Sequence, residues 1–477
     1  MNLLNYVAFD NNFDTDDRAW VPERWAQETL ALLEENMVAS RLVHTDFSEE
    51  IQDFGDTVNT RKPGEFEAEN KGVNDDVTVQ DATAENIAVK LDQHIHVAFL
   101  IRDREMSLSF ADLVTKYMQP GAKALASKLD RKILGQVYQY LDNTVGDLGM
   151  MNATSGDAHN AKSLILDVRQ LQNEKNVPTE DRVLILTPDS ETWALKLDLF
   201  ISAERVGDDG TALREASLGK KLGYNCFMCQ NMPYYVEPGT VDADDIAEAA
   251  KGATVVVSDD AAGASYAVGQ YIYFATTDDR FPYRIMEIDS NNLTLNRPLR
   301  RALSANTESY KGVMGAVALA EHTSAGGPTS YPAGYDGPVW VDGAGVPKVG
   351  QLVSFNNGAT PLAAEYAVVS VKASSGSEYI IQLDRPLEAA LANNYTVGYG
   401  PGGSYNFAFR RPALALVLRP LALPKGKSVD AAVISYNGLS IRVTMQYQGV
   451  KQGMLVTLDF LCGLKVLDKD QGAVLLG

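Results

Sequence analysis

Between residues 238 and 404 this chain repeats itself. Val268-Gly269-Gln270 is matched by Val349-Gly350-Gln351. Leu295-Asn296-Arg297-Pro298-Leu299 with Ala302-Leu303 is matched by Leu383-Asp384-Arg385-Pro386-Leu387 with Ala390-Leu391. Similar alternating runs separate these marks: Tyr283–Ile288 with Leu293–Leu295 in one copy, Tyr366–Val371 with Tyr379–Leu383 in the other. Apolar Val255–Val257 leads into the first and Val339–Val341 into the second. Like sequence at like spacing builds like units, so a duplication constrains the fold more than any single motif does. The spacing predicts two small all-β modules, at about residues 255–315 and 339–400, joined by a loose Ala320–Gly337 linker. The whole region is rich in Gly, Ala, Ser, Thr, Tyr and Val and carries no long helical period.

The opposite pattern occupies Ser109–Asn143. Leu125, Leu129, Ile133, Val137 and Leu141 recur every fourth residue, broadened by Ala124, Leu134 and Tyr138, which predicts one long helix with one buried face. Ser109 with Asp112 reads as its N-terminal cap. Pro120-Gly121 interrupts it: proline removes the bond to the Lys116 carbonyl and crowds that turn, so the helix kinks or restarts there.

Around these two features the chain reads in order. Residues 1–17 are an extended acidic arm, and Trp20–Val38 has helical period. Residues 51–85 hold many charges, three glycines and few apolar side chains, as two strands of a projecting hairpin would, though the composition also suits disorder. Asn86–Ile101 alternates as a half-buried strand through Ile87, Val89, Leu91, Ile95, Val97 and Phe99, with His94 and His96 on its other face. Helix at Ala158–Asn173, strand at Arg182–Thr187, helix at Pro188–Leu199 and a short strand pair in Gly219–Val236 make a mixed layer. Phe407–Gly477 returns to strands at Ala413–Leu418, Ser440–Gln448, Met454–Leu461 and Ala473–Leu476. The fold class is α+β.

The net charge is −20, and residues 1–80 alone hold 18 acidic against 6 basic side chains. Such a surface repels phosphate backbones and excludes broad nucleic-acid binding, while leaving a wall that encloses DNA without gripping it. No apolar run is long enough to cross a bilayer, no signal-peptide order opens the chain, and three cysteines make no disulfide framework. The expectation is therefore an intracellular protein with no membrane partner, for which the sequons at Asn152, Asn292 and Asn394 carry no meaning.

The chemical motifs fail on spacing. Cys226-Phe-Met-Cys229 lies in a strand-like run, where i and i+3 face opposite ways. Gly426-Lys427-Ser428 has Leu421 where a phosphate loop needs glycine, and Gly219-Lys220-Lys221 has Arg214 there. His94 and His96 have no neighbouring carboxylate cluster in sequence, and no GxSxG elbow occurs. No catalytic, cofactor or metal site is expected, and the chain does not read as an enzyme.

The order of elements resembles the major capsid proteins of tailed double-stranded DNA bacteriophages, the Hong Kong-type fold, in the coat-protein branch with an inserted β domain. The similar residues are Phe54-Gly55-Asp56-Thr57-Val58 with Arg61-Lys62-Pro63; Asp112-Leu113, Tyr117, Pro120, Ala122, Leu125-Ala126, Asp130 and Ile133-Leu134; Leu184 to Asp189; Ser217-Leu218-Gly219 with Leu222-Gly223; and Gly463-Leu464-Lys465-Val466-Leu467. The resemblance implies an N-terminal arm and helix at 1–50, an E-loop at 51–85, and a peripheral (P) domain strand and spine helix at 86–157. It further implies an axial (A) domain at 158–237, an insert at 238–404, and returning A- and P-domain strands at 405–477. It departs from the family in one respect, since the related proteins carry a single β-barrel insertion. The second copy is then open to being an outward decoration or a brace.

By the same resemblance the chain self-assembles into hexamers and pentamers of an icosahedral shell around DNA, in a virion built in the host cytoplasm, with scaffolding, portal and decoration proteins as partners. Arg61, Lys62, Glu65, Phe66, Glu67 and Glu69 would contact a neighbouring subunit, lying across the other face of its spine helix, and Pro120-Gly121 would be the bend. The competing classes are a non-viral protein using the β modules to bind glycan or protein, and a nanocompartment shell of the same fold.

Overall fold

A computed structural model describes residues 25–27, 29, 37–45, 57–62, 68, 70–71, 76, 85–103, 114–154, 156–197, 218–235, 244–258, 266–274, 279–318, 330–343, 345–357, 360–373, 377–424, 429–436 and 439–477. The arm at 1–17, the cap at Ser109 and Asp112, and Ser217 lie outside them; of the Trp20–Val38 helix, residues 25–27 and 29 are described as helical. The chain falls into two compact units, one of Met1–Asn36, Val43–Leu125 and Leu414–Leu467, the other of Met37–Leu42, Ala126–Ala413 and Asp468–Gly477.

The first unit is organised by the 14-residue strand Gly453–Val466. Gln93–Arg102 pairs antiparallel with its Gly453–Cys462 stretch, Leu439–Gln448 lies on its other side, and Leu414–Arg419 takes up its far end. Alternation supplies the core: Ile95, Ile101, Val443, Val456, Leu458 and Phe460 are buried. The strand expected over Asn86–Ile101 is two strands, Glu85–Lys90 and Gln93–Arg102, in unbroken odd-residue phase, with Leu91 buried at the break. Thr57–Lys62 pairs with Glu85–Lys90 in a register running from Thr57↔Lys90 to Lys62↔Glu85. Such a ribbon is marginal alone. Here its base is rooted, with Val58, Val89 and Leu91 packed on Ala415 and Val417.

The expected 109–143 helix is in three pieces. A wide π-type turn, Val114–Met118, leads into α1 (Gln119–Gly135), which tightens into a 3-10 turn at Gln136–Tyr140. Pro120 stands second in α1, directly after that wide turn, and with no N–H it makes no α-type bond back to the Lys116 carbonyl. The stripe residues Leu125, Leu129, Ile133, Leu134, Val137, Tyr138 and Leu141 are buried, but Ala124 is exposed. From Lys132 to Tyr138 every residue is buried, so a single-faced stripe is the wrong description of that half.

The second unit holds a mixed sheet in the order Thr144–Gly146, Gly472–Leu476, Gly403–Arg410, Arg182–Leu186, Tyr224–Met228, Lys220–Lys221, with Tyr234–Tyr235 beside Gly403. α2 (Ala161–Glu174), capped by Asn160, and α3 (Pro188–Leu195), capped by Thr187 with Pro188 at its first position, cover it. α3 is shorter than the sequence period suggested. Leu164, Ile165, Val168, Leu184, Leu186, Tyr224 and Leu475 form the core between.

The rest of this unit is two six-stranded β structures. The first uses Asp244–Ile246, Val255–Val257, Tyr271–Phe274, Tyr283–Asp289, Asn292–Leu295 and Thr307–Lys311. The second uses Met314–Val317, Val339–Gly343, Leu352–Asn357, Thr360–Ala373, Glu378–Leu383 and Thr396–Tyr399. Numbered within each copy, both run second–fifth–fourth–third–sixth–first, and in the second copy first pairs with second to close a barrel. The repeated residues do repeated work. Gly269 and Gly350 both have φ of 85°, in the left-handed region that glycine enters without strain. Asn296 accepts the Arg284 N–H at 2.9 Å, as Asp384 accepts the Ala367 N–H at 2.8 Å. The Tyr283 hydroxyl accepts the Arg300 N–H at 2.9 Å, as Tyr366 accepts the Glu388 N–H at 2.8 Å.

Candidate functional site

The residues singled out for assembly fall unevenly. Arg61 and Lys62 end the strand Thr57–Lys62, opposite Asn86 and Glu85, while Glu65, Phe66, Glu67 and Glu69 lie outside the described residues. Pro120 is exposed, and Gly121 is buried where a Cβ would sit 3.5 to 3.7 Å from Leu458, Phe99 and Val97.

What sequence reasoning missed is the cover on α1. A Cβ added at Gly135 would lie 2.8 Å from both the Ala367 and Asp384 Cβ atoms of the second β module. The Gln136 amide donates to Asp384 at 2.9 Å, Lys132 Nζ pairs with Asp336 at 2.9 Å, and the Tyr138 hydroxyl donates to the Gly350 carbonyl at 2.5 Å. The second copy therefore packs on α1 of its own chain. Over Lys132–Tyr138 the face expected to meet a neighbour's hairpin is taken by this chain's own module. A glycine inside a strong helical period is a packing signal, and Gly135 could have been read that way.

Buried charge is concentrated at these joints, and each carboxylate has a basic or N–H partner. Arg297 bridges Glu365 at 2.8 Å and Asp142 at 2.9 Å, and the Tyr271 hydroxyl donates to Glu365 at 3.1 Å. Burial pushes the Glu365 carboxyl up, and Arg297, Arg284 and the Tyr271 hydroxyl together more than offset this, leaving it below the usual carboxylate range. Asp384, raised by burial, is countered by Arg385 at 3.1 Å. Asp147 receives His159 at 2.9 Å and Arg301 at 3.0 Å. In the first unit Asp459 is held by Nε and Nη2 of Arg442, at 2.9 and 2.5 Å, with His94 at 3.2 Å. Such pairing fixes the geometry of these side chains.

Asp130 differs. It is wholly buried on α1 and accepts the Val38 and Ala39 N–H groups at 3.1 and 3.2 Å, clasping the turn Ala39–Arg41. Burial pushes its carboxyl up to about 6 against the opposing effect of those N–H donors and Arg41. Cys226 and Cys229 are buried free thiols pushed up to about 11, the reverse of an activated pair. Among the described residues no cluster of His, Cys, Asp and Glu is placed to hold a metal, and no helix is long and apolar enough to cross a membrane.

No protein-family model and no curated protein matches the chain. Among solved structures it is similar to one from Mycobacterium phage Che8, at 13% identity and a TM-score of 0.42, covering 92% of this chain and 90% of that one. It is similar also to the capsid structure of the cyanophage P-SCSP1u, at 11% identity and a TM-score of 0.39, covering 89% and 84%. The capsid structure of Staphylococcus phage Andhra follows at 7% identity and a TM-score of 0.36, covering 91% and 84%.

Proposed function

We propose that this chain is a structural shell protein, the major capsid protein of a tailed double-stranded DNA phage, which self-assembles around the genome. One observation carries the reading. A rooted hairpin, a long strand, a helix, a mixed sheet and a β insert follow one another along the chain, and the last strands return to complete both large sheets. That is the order the sequence resemblance implies. The E-loop is residues 51–85, the P-domain 86–157 with 405–477 shared between P and A, the A-domain 158–237, and the insert 238–404. Arg61, Lys62, Glu65, Phe66, Glu67 and Glu69 meet a neighbouring subunit through many charge pairs and little apolar contact. Such contacts stay reversible until many of them accumulate. Scaffolding, portal and decoration proteins are the further partners, assembly takes place in the host cytoplasm, and the acidic wall holds DNA without reading it.

Negative-stain microscopy of the expressed protein tests the reading: closed shells are expected, and discrete monomers or dimers would sink it. Deleting residues 58–76 should give a folded subunit that builds no shells. Normal shells from that variant would remove the hairpin from the assembly contact.

A further inference from the structure

The two β modules use the same face for docking. In the second module that face includes the Gly350 elbow, Ala367 and Asp384, and it meets Tyr138, Pro233, Gly135 and Gln136. In the first module the equivalent Gly269 elbow, Arg284, Asn296 and Arg297 meet the second module instead. Arg284 donates to the Leu362 carbonyl at 2.8 Å, Asn296 reaches Glu365 at 3.3 Å, and Arg297 pairs with Glu365. The Gly269 elbow sits so close to the socket that a Cβ on it would fall inside the Asn356 amide, and a Cβ on Gly398 would run into the Gly269 carbonyl. Donor face against socket is a head-to-tail contact, which has no symmetry to close it and propagates unless something ends it.

Strand registers locate the first module's own version of the socket. Leu352↔Ala367 and Val353↔Tyr399 in the second copy correspond to Tyr271↔Arg284 and Ile272↔Lys311 in the first. Ser354 therefore corresponds to Tyr273, Gly398 to Tyr310, and Glu365 to Pro282. The two small residues that admit an elbow are replaced by tyrosines whose rings stack across the strands, 5.0 Å apart and 9° from parallel. The carboxylate that holds the incoming arginine is replaced by proline.

We propose that Tyr273 and Tyr310, with Pro282, close the first module's socket and end the stack at two modules. The tyrosine pair is a cap on a contact that would otherwise run from chain to chain. This reading is independent of what the whole protein assembles into.

The test exchanges the residues. S354Y with G398Y should shut the working socket. Hydrogen exchange in Tyr271–Phe274 and Thr307–Lys311 should then rise by about tenfold or more, with the protection of α1 from Ala126 onward retained. Unchanged protection of the first module would show that the tyrosines close nothing. Adding Y273S, Y310G and P282E to that pair opens the other socket on a chain whose donor is free, and open-ended filaments should appear in light scattering and microscopy. A variant that releases its first module and associates no more than S354Y/G398Y would overturn the cap. Tyrosine is already borne at both positions by the first copy, so the fold accommodates it. If Leu352–Asn357 nevertheless loses protection, G398A alone carries the test, because its one added carbon meets the Gly269 carbonyl. Release of the first module is then expected, and its retention counts against the socket.

Discussion

Gly135→Ala is a substitution whose sign depends on the second module. In a helix interior it ordinarily stabilises by about 1 kcal/mol, because glycine loses more backbone freedom on folding. The backbone at Gly135 is helical, φ −61° and ψ −25°, so alanine meets no conformational strain there. Packing opposes it. The new Cβ would stand 2.8 Å from the Ala367 and Asp384 Cβ atoms, whereas apolar carbons settle at about 3.5 to 4.0 Å. Neither neighbour is a flexible chain end: Ala367 is part of the strand Thr360–Ala373, and Asp384 is bound by Gln136, Arg385 and the Ala367 N–H. Forcing such a contact apart costs about 1 to 3 kcal/mol, so the net expectation is a loss of up to about 2 kcal/mol. Hydrogen exchange should localise it to Thr360–Ala373 and Glu378–Leu383. Ala367→Gly removes one of the two opposing carbons, so in that background G135A should cost about 1 kcal/mol less. A G135A protein as stable as the parent, with no faster exchange in those strands, would refute the close approach.

Asp130 gives the pH prediction. Its carboxyl lies higher folded than unfolded, so the stability it contributes is full below about 4 and lost as pH rises through about 6. Asp130→Asn should flatten that part of the stability profile, while its Nδ2, unable to accept an N–H, gives up one of the two bonds to the turn; denaturant titration from pH 4 to 8 checks it. Glu365→Ala should leave Arg297 with Asp142 alone, take the acceptor from the Tyr271 hydroxyl and cost about 3 kcal/mol, seen as lost protection across the first module. Pro120→Ala should supply an N–H and draw Val114–Met118 into α geometry at little cost in stability. A high-resolution structure with the wide turn unchanged would show that the proline does not cause it.

The duplication was legible because its marks are residues with fixed duties. A left-handed glycine, an Asn or Asp accepting a backbone N–H and a tyrosine hydroxyl tolerate few replacements, so they recur at like spacing. Strand phase was legible for the same kind of reason, since Ile95 and Ile101 must face one core whatever else changes. The helix was half legible. Its stripe follows from local periodicity, but the burial of Lys132 and Gln136 depends on Asp336 and Asp384, more than 200 residues away, and polar residues announce no partner at that distance. Of the candidate assembly residues, the hairpin holding Arg61 and Lys62 was one of two readings that its charged, glycine-bearing composition left open, while the docking face of the modules was not legible. Its key positions are a glycine, a serine and a glutamate, whose meaning lies in what is pressed against them.

The strand Gly472–Leu476 lies between Thr144–Gly146 and Gly403–Arg410, and Gly453–Val466 holds Gln93–Arg102. Both sheets thus wait for segments that follow the modules in the chain, while each β module closes on neighbours within its own stretch. A ribosome adds residues one after another, and local pairings form as they emerge. The modules can therefore be finished objects while the two large sheets still have open seams. A chain interrupted before Gly453 would carry those seams as unpaired edges, inviting aggregation rather than ordered association. The inserted modules and the sheets that they interrupt thus close in a fixed order, the inner pairings before the outer ones.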